Sequence, residues 1–80
     1  MRVLWTAPAA SAFRTLPKAV QDDLLARVDL ISEFPDLYPL RERQPYAGFR
    51  YFFVRQWCIS YVTADGTLII LAVFPARRGR

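Results

Sequence analysis

Histidine is absent from this chain, and cysteine occurs once, at Cys58. An intramolecular disulfide is therefore impossible, and a structural zinc site lacks its usual thiolate and imidazole donors. The same absence removes the imidazole that would activate Cys58 as a nucleophile, so the thiol reads as a small buried hydrophobe. Long apolar runs are missing too. The longest, Leu68 to Ala76, falls far short of the roughly 20 residues that span a bilayer. The opening MRVLWTAPAASAF has too short an apolar region for a signal peptide. With no repeat, low-complexity tract or linker, residues 1–80 read as one domain, expected to be soluble and cytoplasmic, with no cofactor and no metal.

What is present is apolar and basic. Hydrophobic residues make up 54% of the chain, above the roughly 45–50% usual for soluble domains, which leaves room for an apolar surface reserved for a partner. Eleven Lys and Arg oppose seven Asp and Glu, a net charge of +4, and Lys18 is the one lysine. Arginine presents a planar fork of donors suited to phosphate and carboxylate, so nucleic acid and acidic protein both suit this balance.

Along the chain, Arg2 to Thr6 is short, contains Val and Trp and stops before Pro8, which suits a first strand. Ala9 to Thr15 reads as a short helix opened by Pro8, with Phe13 and Leu16 inward. Pro17 then opens a second helix. Its apolar positions Val20, Leu24, Val28 and Ile31 recur at helical spacing with Leu25 beside them, while Gln21, Asp22, Arg27 and Asp29 mark the wet side. Pro35 stops it near Phe34.

Asp36 to Ala47 is an irregular connection carrying Arg41 and Arg43, and three strand-like runs follow. Asp65-Gly66 is a strong hairpin turn and Arg55-Gln56 a less typical one. Two-residue loops would set Val54 opposite Trp57, Phe52 opposite Ile59 and Arg50 opposite Tyr61. In the next ladder Tyr61 meets Ile70, Ile59 meets Ala72 and Trp57 meets Phe74. These residues share one face. The other face then carries Phe49, Tyr51, Phe53, Cys58, Ser60, Val62, Ile69, Leu71 and Val73. The helices can cover only one of the two. The expected fold is α+β: an N-terminal strand, two helices, then a three-strand antiparallel meander in one sheet with the helices on one face. The second face is apolar, without a cover of its own, and calls for a partner or a second copy.

This order, with Leu16-Pro17, FPDLYP, GFRYFFV, WCISY, DGTLIILAV and the terminal ARR, resembles the RelE/ParE superfamily of type II toxin–antitoxin toxins. The resemblance implies a toxin neutralised by a cognate antitoxin, whose helix or added strand would cover the second face. Tyr51, Phe53, Val62 and Leu71 are the candidate antitoxin contacts.

The superfamily divides into ribosome-dependent mRNA endonucleases, similar to RelE, and DNA gyrase inhibitors, similar to ParE. RNA cleavage needs cations at the scissile phosphate and groups that move protons. The positions where RelE-like chains carry basic side chains on the hairpin fall on Tyr51, Phe53 and Cys58, none of them charged. No tyrosine follows Tyr61 to supply a terminal catalytic group. The resemblance therefore leans to the ParE side: a gyrase inhibitor rather than an enzyme, with no catalytic residue. Arg50, Tyr61, Arg77, Arg78 and Arg80 are its candidate target-binding residues. Arg50 has a structural reading beside this one, pairing with Asp36 to hold helix to sheet. Two alternatives stay open. One is a RelE-type nuclease with displaced catalytic residues, in which Arg41, Arg43, Arg50, Arg77 and Arg78 bind RNA phosphates and Tyr51 or Tyr61 assists. The other is a non-toxic, antitoxin-binding module.

Overall fold

The computed structural model describes residues 1–38, 40 and 48–76. Strand β1 (Arg2–Trp5) leads into α1 (Ala7–Arg14) and α2 (Lys18–Glu33), and β2 (Arg50–Val54), β3 (Trp57–Ala64) and β4 (Thr67–Pro75) complete the sheet. The architecture is the expected α+β layer of helices on one face of a sheet. Strand order is β1-β4-β3-β2, with β1 parallel to β4 and the other pairs antiparallel.

Local chemistry sets the element ends. Thr6 caps α1: its hydroxyl accepts from the Ala9 N–H and donates to the Leu71 carbonyl at 2.8 Å, tying the helix start to β4. Pro8 occupies the first turn, where a missing N–H costs nothing. The Gln21 amide donates to the Phe13 carbonyl, joining the helices across Pro17. The α2 helix ends at Glu33, two residues before Pro35. Asp65 and Gly66 both take positive φ, the geometry that matches the twist of a tight hairpin, and Arg55 takes a φ of 56° in the other turn.

Val20, Leu24, Val28 and Ile31 all point into the core, against Phe52, Val54, Ile59, Tyr61, Leu68, Ile70 and Val73. One wet-side expectation and one apolar expectation change. Arg27 is half-buried, its stem lying along the sheet edge so that the guanidinium donates to the Tyr38 hydroxyl and the Phe53 carbonyl, 6.0 Å from the Phe52 ring centre. Leu25 is largely exposed, lining a cleft of about 250 Å³ with Trp5, Ala10, Phe13 and Arg14.

The β2–β3 register is the one expected, Arg50 opposite Tyr61 through Val54 opposite Trp57. The β3–β4 ladder keeps Tyr61 opposite Ile70, then a bulge shifts it: Ile59 meets Val73 and Trp57 meets Pro75. Leu71 is the extra residue of the bulge. Val73 thereby joins the covered face and is buried, whereas Ala72 and Phe74 move to the open one, the reverse of the simple count.

Candidate functional site

Leu4, Tyr51, Phe53, Cys58, Val62, Ile69 and Phe74 lie on the sheet face away from the helices. Phe53 is 48% exposed and Phe74 and Leu4 nearly as much, while Tyr51, Val62, Ile69 and the bulge residue Leu71 are half-buried. Tyr51 and Phe53 meet edge to face with ring centres 5.8 Å apart, giving this edge of the face a fixed aromatic surface. Cys58 is buried between its larger cross-strand partners Phe53 and Phe74, in keeping with the reading of a small hydrophobe. The four candidate antitoxin contacts, Tyr51, Phe53, Val62 and Leu71, therefore fall on three adjacent strands, with a well-formed apolar face around them.

Arg50 and Tyr61 are brought together on the covered side and do different work. The Arg50 guanidinium donates to the Tyr38 carbonyl at 2.7 Å and to the Asp36 carboxylate at 2.9 Å. Tyr61 is 0% exposed, and its hydroxyl donates to the Pro35 carbonyl. Burial pushes the Tyr61 phenol above its ordinary 10.0, against the opposing pull of the Arg50 charge. Two cross-strand partners thus clasp the turn after α2 at three points, Pro35, Asp36 and Tyr38. A phenol with no exposed surface has nothing to offer a macromolecular target in this conformation, and Arg50 already has two partners. The sequence reading missed the third member of this clasp. Tyr38 stacks on Phe52 with ring centres 5.0 Å apart, accepts from Arg27 and offers its carbonyl to Arg50. Its position in FPDLYP, three residues past a helix-ending proline, was the available signal.

Arg77, Arg78 and Arg80 lie outside the described residues, as do Arg41 and Arg43. The described residues carry six cations and six acids, so the whole net charge of +4 belongs to segments 41–47 and 77–80. No lysine or arginine of β2, β3 or β4 lies on the open face, which these strands line with Tyr51, Phe53, Cys58, Val62 and their neighbours. Among the described residues no group of His, Cys, Asp and Glu could hold a metal ion, and no helix is long and apolar enough to cross a membrane.

No protein-family model matches the sequence, and no curated protein does. Solved structures do match. The isolated E. coli RelE toxin superposes with a TM-score of 0.83 at 19% identity, covering 99% of this chain and 87% of that one. The chain has the fold of RelE toxins. A chain of the toxin–antitoxin complex RelBE2 from Mycobacterium tuberculosis matches at TM-score 0.80 and 20% identity, covering 92% of this chain and 95% of that one. A chain of the archaeal RelE–RelB complex from Pyrococcus horikoshii matches at 0.75 and 19%, covering 98% and 97%. These neighbours carry RelE in their descriptions, so the lean toward ParE draws no support from them.

Proposed function

We propose that this chain is the toxin component of a type II toxin–antitoxin pair, neutralised by an antitoxin that covers the open sheet face. The observation that carries the proposal is that face: apolar across four strands, in a fold shared with RelE toxins from end to end. Tyr51, Phe53, Val62 and Leu71 are the antitoxin contacts, with Phe53 as the anchor because it loses the most exposed surface when covered. Arg50 and Tyr61 act indirectly, fixing the turn that leads into the basic segment 41–47.

For the target, the likeness to RelE toxins favours mRNA bound to the ribosome. On this reading the phosphate-facing cations are Arg41, Arg43, Arg77, Arg78 and Arg80, since those segments hold the whole net charge. Binding of this kind weakens steeply with salt through counterion release. One observation favours the second reading, inhibition of DNA gyrase without catalysis. An aromatic ring, a second aromatic ring and a thiol stand at Tyr51, Phe53 and Cys58, and none of them can neutralise a pentacovalent phosphate.

The test is induction of the chain with and without its antitoxin, followed by two assays of the purified protein: cleavage of mRNA on programmed ribosomes, and gyrase supercoiling. Growth arrest reversed by the antitoxin, with cleavage at the ribosome, is the expected result. Arrest with supercoiling inhibition and intact mRNA would move the target to gyrase. Normal growth with a folded chain would leave an antitoxin-binding module without toxicity.

A further inference from the structure

The cleft of about 250 Å³ beside Trp5 opens where β1, α1 and α2 meet, lined by Trp5, Ala10, Phe13, Arg14 and Leu25. It lies on the helical side of the sheet, because Trp5 pairs with the fully buried Ile70 and packs against the core. The open sheet face contributes nothing to it.

Contacts already in place hold its walls. The Thr6 hydroxyl, donating to the Leu71 carbonyl, fixes the chain directly after Trp5. Trp5 and Phe13 meet edge to face with ring centres 5.2 Å apart, and the Gln21 amide donates to the Phe13 carbonyl at 2.9 Å, setting α2 against the end of α1. The cleft is therefore preformed, as small-molecule sites usually are. Its lining is apolar except for Arg14, and Leu25 on its α2 side is 45% exposed.

Arg14 supplies the one charge of the lining. It is exposed in the last turn of α1, where the helix dipole favours a cation. It has no ion-pair partner among the described residues. Asp22 and Asp29, one turn to either side of Leu25 on α2, form no ion pair with it, and Asp22 is held by Lys18 at 2.8 Å. An apolar hollow with an unpaired guanidinium in its wall matches a molecule that has an apolar body and a carboxylate end.

We propose that this cleft binds a small amphiphilic carboxylate, its apolar body against Trp5, Phe13 and Leu25 and its carboxylate on the Arg14 guanidinium. The volume falls below the roughly 300 Å³ at which pockets for drug-sized ligands begin, so the molecule has about ten heavy atoms. A ligand of that size in an open cleft binds with a dissociation constant of about 1 mM. It bridges β1 to α2, and it does so without touching the face assigned to the antitoxin.

The test is a nuclear magnetic resonance titration of the full chain with cyclohexylacetate, its neutral amide, and 2-cyclohexylethylamine, at low and moderate salt. The indole N–H of Trp5 reports the cleft, and that of Trp57, which pairs with Val54 on another part of the sheet, is the internal control. The acid shifts Trp5 and leaves Trp57 in place, binds about threefold or more tighter than the amide, and weakens with salt; the amine binds least. Arg14→Gln brings the acid down to the level of the amide. Ala10→Leu, a substitution that a helix accepts, fills the cleft and removes binding of all three while the chain stays folded. Equal binding of acid and amide overturns the proposal, as does acid binding undiminished in Arg14→Gln or in folded Ala10→Leu. Shifts at Trp57 in place of Trp5, or no shift at about 20 mM acid, twenty times the expected constant, overturn it too.

Discussion

On the covered face of the sheet Ile59, Leu68 and Ile70 lose all contact with solvent beneath Leu24 and Ile31. On the opposite face their strand neighbours Phe53, Val62, Ile69 and Phe74, equally apolar, remain open or half-open. Composition does not separate the two faces. What separates them is the placement of α1 and α2, which both lie on one side, while β2, β3 and β4 are joined directly by tight hairpins. The lesson is that an apolar pattern marks surface to be buried, whereas topology decides whether the cover comes from the same chain.

The comparison breaks or sharpens by mutation. Ile59→Ala should cost about 2–5 kcal/mol in urea unfolding, the range for a large core side chain replaced by a cavity. Phe53→Ser should change stability by less than about 1 kcal/mol yet abolish capture of the chain by an antitoxin. Equal destabilisation by the two would mean that the open face is core after all. The clasp between sheet and turn comes next. Arg50→Ala strands the Tyr38 carbonyl and should cost about 1–3 kcal/mol, against less than about 1 kcal/mol for Asp36→Ala, whose carboxylate is mostly in water. A large loss of toxicity in a folded Arg50→Ala protein would show that the clasp serves the basic segment beyond it.

Smaller still is Tyr61→Phe, which removes one hydrogen bond to the Pro35 carbonyl and should cost about 1 kcal/mol. Tyr61 also sets an alkaline limit. Its phenol is raised above 10.0 by burial, so the folded state holds the proton more tightly than the unfolded one. Its contribution is complete below the unfolded value and is lost as pH rises through the folded one. Alkaline unfolding of the wild type should therefore be steeper than that of Tyr61→Phe, measured by circular dichroism against pH.

Much of this was legible beforehand. The spacing of Val20, Leu24, Val28 and Ile31 identifies the buried stripe of α2, the Arg55-Gln56 turn gives the β2–β3 pairing by counting, and Asp65-Gly66 gives the β3–β4 pairing as far as Tyr61 opposite Ile70. The Arg50–Asp36 pair was readable as a structural alternative. The bulge at Leu71 was not, because LIILAVF is apolar at every position and a slip of one residue leaves no polar side chain misplaced to report it. Arg27 was misread because periodicity scores a charged residue by its tip, and here the stem and the edge of the sheet decide. Tyr38 escaped because a tyrosine in an irregular turn has no period to belong to.

The parallel pairing of β1 with β4 carries a consequence for how the molecule is made. Arg2 to Trp5 align with Thr67 to Ile70, and the Thr6 hydroxyl reaches a carbonyl 65 positions away. The first strand to emerge during synthesis has no neighbour in the sheet until the last strand is complete, and contacts of such long sequence separation are slow to close. The helices and the β2–β3 hairpin can form early, but the assembled sheet arrives only with β4. A cell making this protein therefore has an interval in which the nascent chain exists without its finished surface, and any partner present at that moment meets the open face as it is completed.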